Sequence, residues 1–234
     1  MRNSSGSHDL FLDVFTEAPV IKLEPGEVLL HAGGRADRVF NIVSGMLMVS
    51  RTGGDGRRQI LSFPVQNHFV GLTSTEDYFF TVEAVKASTV AFCSRNVLME
   101  RLAADPEAER TYLNMLTRVL EDAYDLVYSL GQRTAFERLA VFILYLRHWY
   151  RQSANIKNDD STALNKIELP MSREDIADFL GLKKETVSRS FRQLEDQGLI
   201  LRDDRNNVSI ENLPALRELA GIWDFASPRH LSAD

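Results

Sequence analysis

The sequence predicts an α+β protein in three consecutive parts: an antiparallel β domain, one long helix, and a helix-turn-helix domain with a hairpin wing. Three observations carry that reading. Eight of the 13 glycines fall between Gly26 and Gly71, interleaved with short apolar runs. An apolar stripe at heptad spacing runs from Leu113 to Leu130. Residues 171 to 200 then set a small residue, a turn glycine and a β-branched residue where two short helices must cross closely.

Residues 1–19 read as a polar tail followed by a short helix. Met1 to Asp9 holds no apolar run that could serve as a secretory leader. From about residue 20 the chain alternates strands and breaks. Val39 to Val43 leads into Ser44-Gly45, and Met46 to Ser50 leads into Gly53-Gly54-Asp55-Gly56. Gln59 to Phe63 follows, and a strand pair is expected between Phe79 and Phe92. Short strands joined by glycine-bearing turns predict an antiparallel barrel or sandwich, with the domain taken as residues 20–105.

Residues 106–131 form the next part. No Gly or Pro interrupts the chain between Pro106 and Gly131, and Leu113, Leu116, Leu120, Ala123, Val127 and Leu130 recur at alternating intervals of three and four. That is the seam of a two-helix coiled coil, so these six are the expected dimer interface. A second stripe, Tyr112, Met115, Val119 and Leu126, lies beside it and is free to pack on the chain's own domain. The simpler alternative is that both stripes face a single monomer core.

Residues 132–234 form the last part. A helix is expected from Ala135 to Tyr150, then a polar loop from Gln152 to Asn165. Ser172 is placed to cap a helix carrying Ile176, Ala177, Phe179 and Leu180, with Asp175 at its third position. Gly181 supplies the left-handed turn and Leu182 plugs the angle. A second helix follows from Lys184 to Gln197, stopped by Gly198. The stretch Leu199 to Ile210 reads as a hairpin wing.

Composition limits the function. An apolar content of 44% and a charged content of 26% are those of an ordinary globular protein. No apolar run is long enough to span a membrane, and the lone Cys93 cannot form an intramolecular disulfide. Both features predict a cytoplasmic protein without a membrane partner. A net charge of −6 argues against bulk attraction to nucleic acid. The local distribution reverses that: residues 183 to 192 hold Lys183, Lys184, Arg189 and Arg192 against Glu185 alone. Glu185, Ser188 and Arg189 share one face of the second helix, while Val187, Phe191 and Leu194 share the other. Arg can pair with guanine O6 and N7, and Glu can accept from cytosine N4. With Ser172 and Thr186, this gives a DNA-binding set of Ser172, Lys183, Lys184, Glu185, Thr186, Ser188, Arg189 and Arg192. A solvated helical face with an internal Glu185–Arg189 ion pair is the bland alternative.

The run from Met171 to Leu182, followed by Glu185-Thr186-Val187-Ser188-Arg189, resembles the signature of the CRP/FNR family of transcription regulators. Gly34-Arg35-Ala36-Asp37 and Ile42-Val43-Ser44-Gly45 resemble the turns of that family's β-roll, so the resemblance covers nearly the whole chain. It implies a cyclic-nucleotide-binding-like β-roll, a dimerisation helix and a winged helix-turn-helix, in that order. Glu-x-x-Ser-Arg is typical of the FNR and FixK branches, which read TTGA half-sites. Arg189 would then bind the guanine, Glu185 the opposing cytosine, and Ser188 would set thymine preference. The implied partners are double-stranded DNA, a second copy of the chain and RNA polymerase, and activation is the commoner family behaviour.

Effector motifs are missing. Cyclic-nucleotide members carry a Gly-Glu pair and a later Arg. Here Leu72 follows Gly71, and Tyr78 to Thr81 holds no cation, which disfavours cyclic AMP. One cysteine cannot ligate an iron–sulfur cluster. Haem is left open, with His68 near the glycine turn and read first as a hydrogen-bonded surface residue. Cys93 reads as a small packed side chain, with a redox role as the minor alternative. The expectation is therefore no cofactor, with a family member gated by haem, nitric oxide or another small ligand as the alternative. A ligand-binding module whose helix-turn-helix contacts only protein would lack the basic face, and no P-loop, nucleophile elbow or metal-ligand spacing suggests an enzyme.

Overall fold

The computed structural model describes residues 13–153, 165–203 and 207–221. They form two compact units divided at Val127/Tyr128. The expected α+β order is present: a β-rich first unit, a long helix, and a helical second unit with a small sheet.

The first unit begins with α1 (Asp13–Thr16), β1 (Val20–Leu23) and β2 (Val28–Leu30), followed by β3 (Arg38–Thr52), β4 (Arg58–Ser62), β5 (Phe69–Val70) and β6 (Thr81–Ser94). The sheet runs β1-β6-β3-β4, with β2 added on β6 and β5 on β3, and every pairing is antiparallel. Its spine is the long β3–β6 pair, in register from Arg38↔Ser94 to Ser50↔Thr81. Two sequence expectations are corrected here. Ser44-Gly45 does not end a strand; β3 runs straight through it, with irregular register between Ile42 and Leu47. Gly45 has φ +100°, and a methyl group there would come within 2.6 Å of Ser88 Cα. The glycine thus makes a bulge that lets β6 approach closely. Likewise Phe79 to Phe92 holds one continuous strand rather than a pair, because a bent sheet needs long strands shared by both halves.

Apolar residues of β2, β3 and β6 fill the roll, among them Leu30, Phe40, Ile42, Leu47, Val82 and Val90. A second cluster lies on the outside, where Phe15, Val39, Ala91, Leu98, Leu102 and Ala108 are buried together. It is built by α2 (Arg95–Ala104), a helix the sequence reading did not anticipate. Ser94 caps α2 by accepting from the Val97 N–H at 3.2 Å. Asp105 then starts α3 (Pro106–Gln132), accepting from Glu107 N at 3.0 Å, with proline at the first helical position.

The second unit contains α4 (Ala135–Ser153), β7 (Lys166–Glu168), α5 (Arg173–Leu180), α6 (Lys184–Asp196), β8 (Ile200–Arg202), β9 (Asn207–Ile210) and α7 (Leu213–Ala220). Leu139, Phe142, Ile143 and Leu146 of α4 are buried, and Phe142 packs on Phe179 of α5 with ring centroids 5.4 Å apart. The wing exists, but β9 pairs on both sides, giving the order β7-β9-β8. Strand β7 and helix α7 were not foreseen. Most of the expected polar loop (154–164) and the hairpin tip (204–206) lie outside the described residues.

Candidate nucleic-acid interface

The two helices that would meet DNA are held by local chemistry legible in the sequence. Ser172 and Asp175 form a reciprocal capping box: Asp175 N donates to Ser172 Oγ at 3.0 Å, and Ser172 N donates to Asp175 Oδ2 at 3.0 Å. The Ser172 hydroxyl also donates to Asp175 at 2.6 Å. This exposed serine is therefore engaged in fixing the start of α5, and what it keeps for DNA is a remaining lone pair. Helix α5 ends at Gly181, whose φ of +63° is the left-handed cap. Ile176, Ala177 and Val187 are fully buried at the crossing of α5 and α6, and Leu182 is half-buried.

Helix α6 separates its residues sharply. Val187, Ser190, Phe191 and Leu194 are buried. Lys183, Lys184, Glu185, Ser188, Arg189 and Arg192 are exposed, with Thr186 half-buried between the two faces. Lys184, Glu185, Ser188 and Arg189 line one shallow surface hollow. Among the described residues no ion pair joins Glu185 to Arg189, so the internal salt-bridge alternative is not realised here. The Ser188 hydroxyl donates to Lys184 O at 3.1 Å and keeps its lone pairs free to accept. At the N-terminus of α6, Lys183 offers no side-chain cap. The first N–H groups and the positive helix end there suit a phosphate oxygen.

An arrangement the sequence reading missed supports α6 from behind. The Arg173 guanidinium lies 3.8 Å from the centroid of the buried Phe191 ring, and that of Arg202 lies 5.2 Å from it. Arg202 is ion-paired with Glu195, and its N–H donates to Glu195 Oε1 at 3.2 Å. Burial and the neighbouring Arg202 push the Arg173 pKa down, while the bond from Arg202 holds the Glu195 carboxyl below its ordinary value. Wing and helix are thereby latched through one aromatic ring. Only a Phe on the inward face of α6 and an Arg at each flank hinted at it.

The stripe on α3 divides. Leu113, Leu120 and Val127 are 54%, 50% and 67% exposed, and Ala123 is exposed beside them. Leu116 is half-buried. Leu130 is half-buried too, with its Cδ2 3.2 Å from where a Cβ on Gly181 would stand. In the second stripe Tyr112 and Met115 pack on the outer cluster of the first unit, as expected. Val119 departs from that pattern at 55% exposed.

Inside the roll, the segment after Gly71 is occupied by the chain itself. Tyr78 and Phe80 are buried, and the Tyr78 hydroxyl donates to Arg38 O at 2.7 Å. Glu76 and Asp77 precede them, and no Lys or Arg lies between Gly71 and Phe80. The His68 ring nitrogen Nδ1 lies 3.0 Å from Val65 O. Cys93 packs on the outer cluster, and burial pushes its thiol pKa up. Among the described residues no three His, Cys, Asp or Glu side chains gather to hold a metal, and no helix is long and apolar enough to cross a membrane.

Comparison with known proteins agrees with this geometry. Residues 137–219 match the Crp-like helix-turn-helix domain family, and residues 20–105 match the cyclic nucleotide-binding domain family. The nitrogen fixation regulation protein FixK of Azorhizobium caulinodans is 36% identical over 184 residues, covering 79% of this chain and 72% of that protein. The transcriptional activatory protein AadR of Rhodopseudomonas palustris is 33% identical over 181 residues, covering 77% and 73%. The solved structure of FixK2 from Bradyrhizobium japonicum superposes with a TM-score of 0.75 at 29% identity, over 86% of this chain and 96% of that one.

Proposed function

The chain belongs to the CRP/FNR family of DNA-binding transcription regulators, and from that premise we propose that it acts as a homodimer reading a TTGA-type palindrome through α6. The observation that carries the reading is the exposed face of Glu185, Ser188 and Arg189, with no ion pair between Glu185 and Arg189, on a helix whose other face is locked into the core. Arg189 meets guanine O6 and N7, Glu185 accepts from the opposing cytosine, and Ser188 lies between them against thymine. Lys183, Lys184, Arg192, Thr186 and Ser172 meet the backbone and fix the register. The exposed stripe on α3 meets its copy, and the two-fold axis so formed matches the palindrome.

The protein needs no small-molecule effector on this reading. A cyclic nucleotide would bring a phosphate next to the carboxylates of Glu76 and Asp77, on a segment from Gly71 to Phe80 that supplies no cation of its own, and Tyr78 and Phe80 are already buried there. These residues do not fit that ligand. His68, held by backbone carbonyls of its own turn, gives no support to haem. The protein works in the cytoplasm as an activator that touches RNA polymerase, in keeping with relatives named as activators.

The test is a fluorescence-anisotropy titration of the protein, with nothing added, against a labelled TTGAT-N4-ATCAA duplex and a scrambled control at near-physiological salt. Preference for the palindrome by about a thousandfold, the lower end for specific regulators, is expected. Equal weak binding to both duplexes would defeat the half-site assignment.

A further inference from the structure

Arg138 stands in the first turn of α4, and its guanidinium gathers the backbone of two other helices. Nη2 donates to Leu130 O at 2.6 Å, Nε to Arg133 O at 3.0 Å, and Nη1 to Leu180 O at 2.9 Å. Leu130 belongs to the last turn of α3, Arg133 follows that helix directly, and Leu180 is the final residue of α5. Carbonyls at these positions have no donor within their own helices and carry the helices' partial negative charge. A guanidinium presents its donors as one rigid plane, so bonds to both helix ends fix their relative angle more tightly than a lysine could.

The surroundings stiffen the junction. Thr134 and Glu137 cap the start of α4, with Thr134 N donating to Glu137 Oε2 at 2.7 Å. Leu130 abuts the Gly181 turn, and Arg133 donates to Ala220 O at the end of α7. None of these groups belongs to the face assigned to DNA.

We propose that Arg138 is a positioning residue for DNA reading: by joining the end of α3 to α5, it sets the angle of the recognition helix and thereby the half-site spacing that a dimer accepts. The proposal rests on the palindrome reading above. One inserted base pair moves a half-site by about 3.4 Å and turns it by about 35°. A rigid junction rejects that displacement, and a loosened one tolerates it.

The test compares the wild-type chain with Arg138→Lys and Arg138→Gln on duplexes whose half-sites are separated by three, four or five base pairs, and on a duplex with one half-site. Wild type should favour the four-base-pair spacer by about tenfold or more, and the variants by less than about threefold, with single half-site affinity kept within about twofold. A merely stabilising role would lower thermal stability and every affinity together while leaving the spacing ratio alone. Variants that keep the wild-type ratio overturn the proposal, as does loss of half-site binding in both variants, which would make Arg138 a folding residue. A wild-type chain indifferent to spacing removes the palindrome reading itself, and this proposal with it.

Discussion

Arg189 and Glu185 stand one turn apart on α6 without an ion pair between them. An exposed pair of this kind is worth only about 0.3–0.5 kcal/mol, so leaving both hydrated costs little and keeps both ready for base edges. Arg189→Ala should therefore weaken binding to the palindrome by about 1–3 kcal/mol and relax selection at the guanine position. Lys184→Ala, one turn away but assigned to phosphate, should weaken binding to all sequences evenly and lower the salt slope by about one. Titrations on cognate and random duplexes at several salt concentrations separate the two roles, and equal losses on both DNAs for both variants would contradict them. The turn before α6 offers a stability test of the same size. Gly181 and Gly198 both have positive φ, but a methyl group on Gly181 would lie 3.2 Å from Leu130 Cδ2, whereas one on Gly198 meets nothing within 4 Å. Gly198→Ala should cost the left-handed strain alone, about 1–2 kcal/mol, and Gly181→Ala measurably more. Urea unfolding of both variants checks the difference, and equal costs would mean that Leu130 gives way freely.

Between α6 and the wing, the link is the Glu195–Arg202 pair beside Phe191. The Glu195 carboxyl is held below its ordinary pKa chiefly by the bond from Arg202. A depressed folded value means that the unfolded chain binds the proton more readily, so stability rises with pH. The contribution is full above the ordinary glutamate pKa of about 4.3 and is lost as pH falls through the lowered folded value. Glu195→Gln should lower the melting temperature at neutral pH and flatten its dependence on pH in that acid window. Unchanged acid sensitivity would place the pH dependence elsewhere. This latch also shows what a sequence discloses. The capping box of Ser172 and Asp175, the turn at Gly181 and the stop at Gly198 were legible because each acts within three or four residues. The exposed α6 face was legible from its helical period. Strand β7 was not, since Lys166–Glu168 is too short to show a period and is a strand only because β9 accepts it. Nor was α2, whose apolar Leu98 and Leu102 find their partners on β3 and β6. Gly45 looked like a turn, because the need for close approach to Ser88 arises across the sheet. Nothing in the sequence marks Arg138 or Arg173, because the carbonyls and the ring they meet come from distant parts of the chain.

For the molecule as a whole, the question is what covers α3. Leu113, Leu120 and Val127 are at least half exposed on the described chain, at the seven-residue interval of one seam position. Scattered apolar side chains on a surface need no explanation, but a periodic row is the seam of a coiled coil. The rival reading, a single monomer core, accounts for Tyr112 and Met115, which the first unit buries, and not for this row. Burial of a half-exposed leucine is worth about 1–1.5 kcal/mol per protomer, so Leu120→Glu, which also sets like charges together, should cost the dimer about 3 kcal/mol. That is a rise in its dissociation constant of roughly a hundredfold. Asn114→Glu adds the same charge on the exposed side of the same helix and should leave the dimer intact. Sedimentation equilibrium reads both variants. The DNA consequence is specific: the Leu120 variant should lose the advantage of the full palindrome over a single half-site, while each protomer still reads its half through Arg189. A monomeric wild type, or a Leu120→Glu protein that stays dimeric, would move the interface off this stripe. A dimer broken by Leu120→Glu with half-site reading preserved would locate association in α3 and base recognition in α6, as two separable properties of one chain.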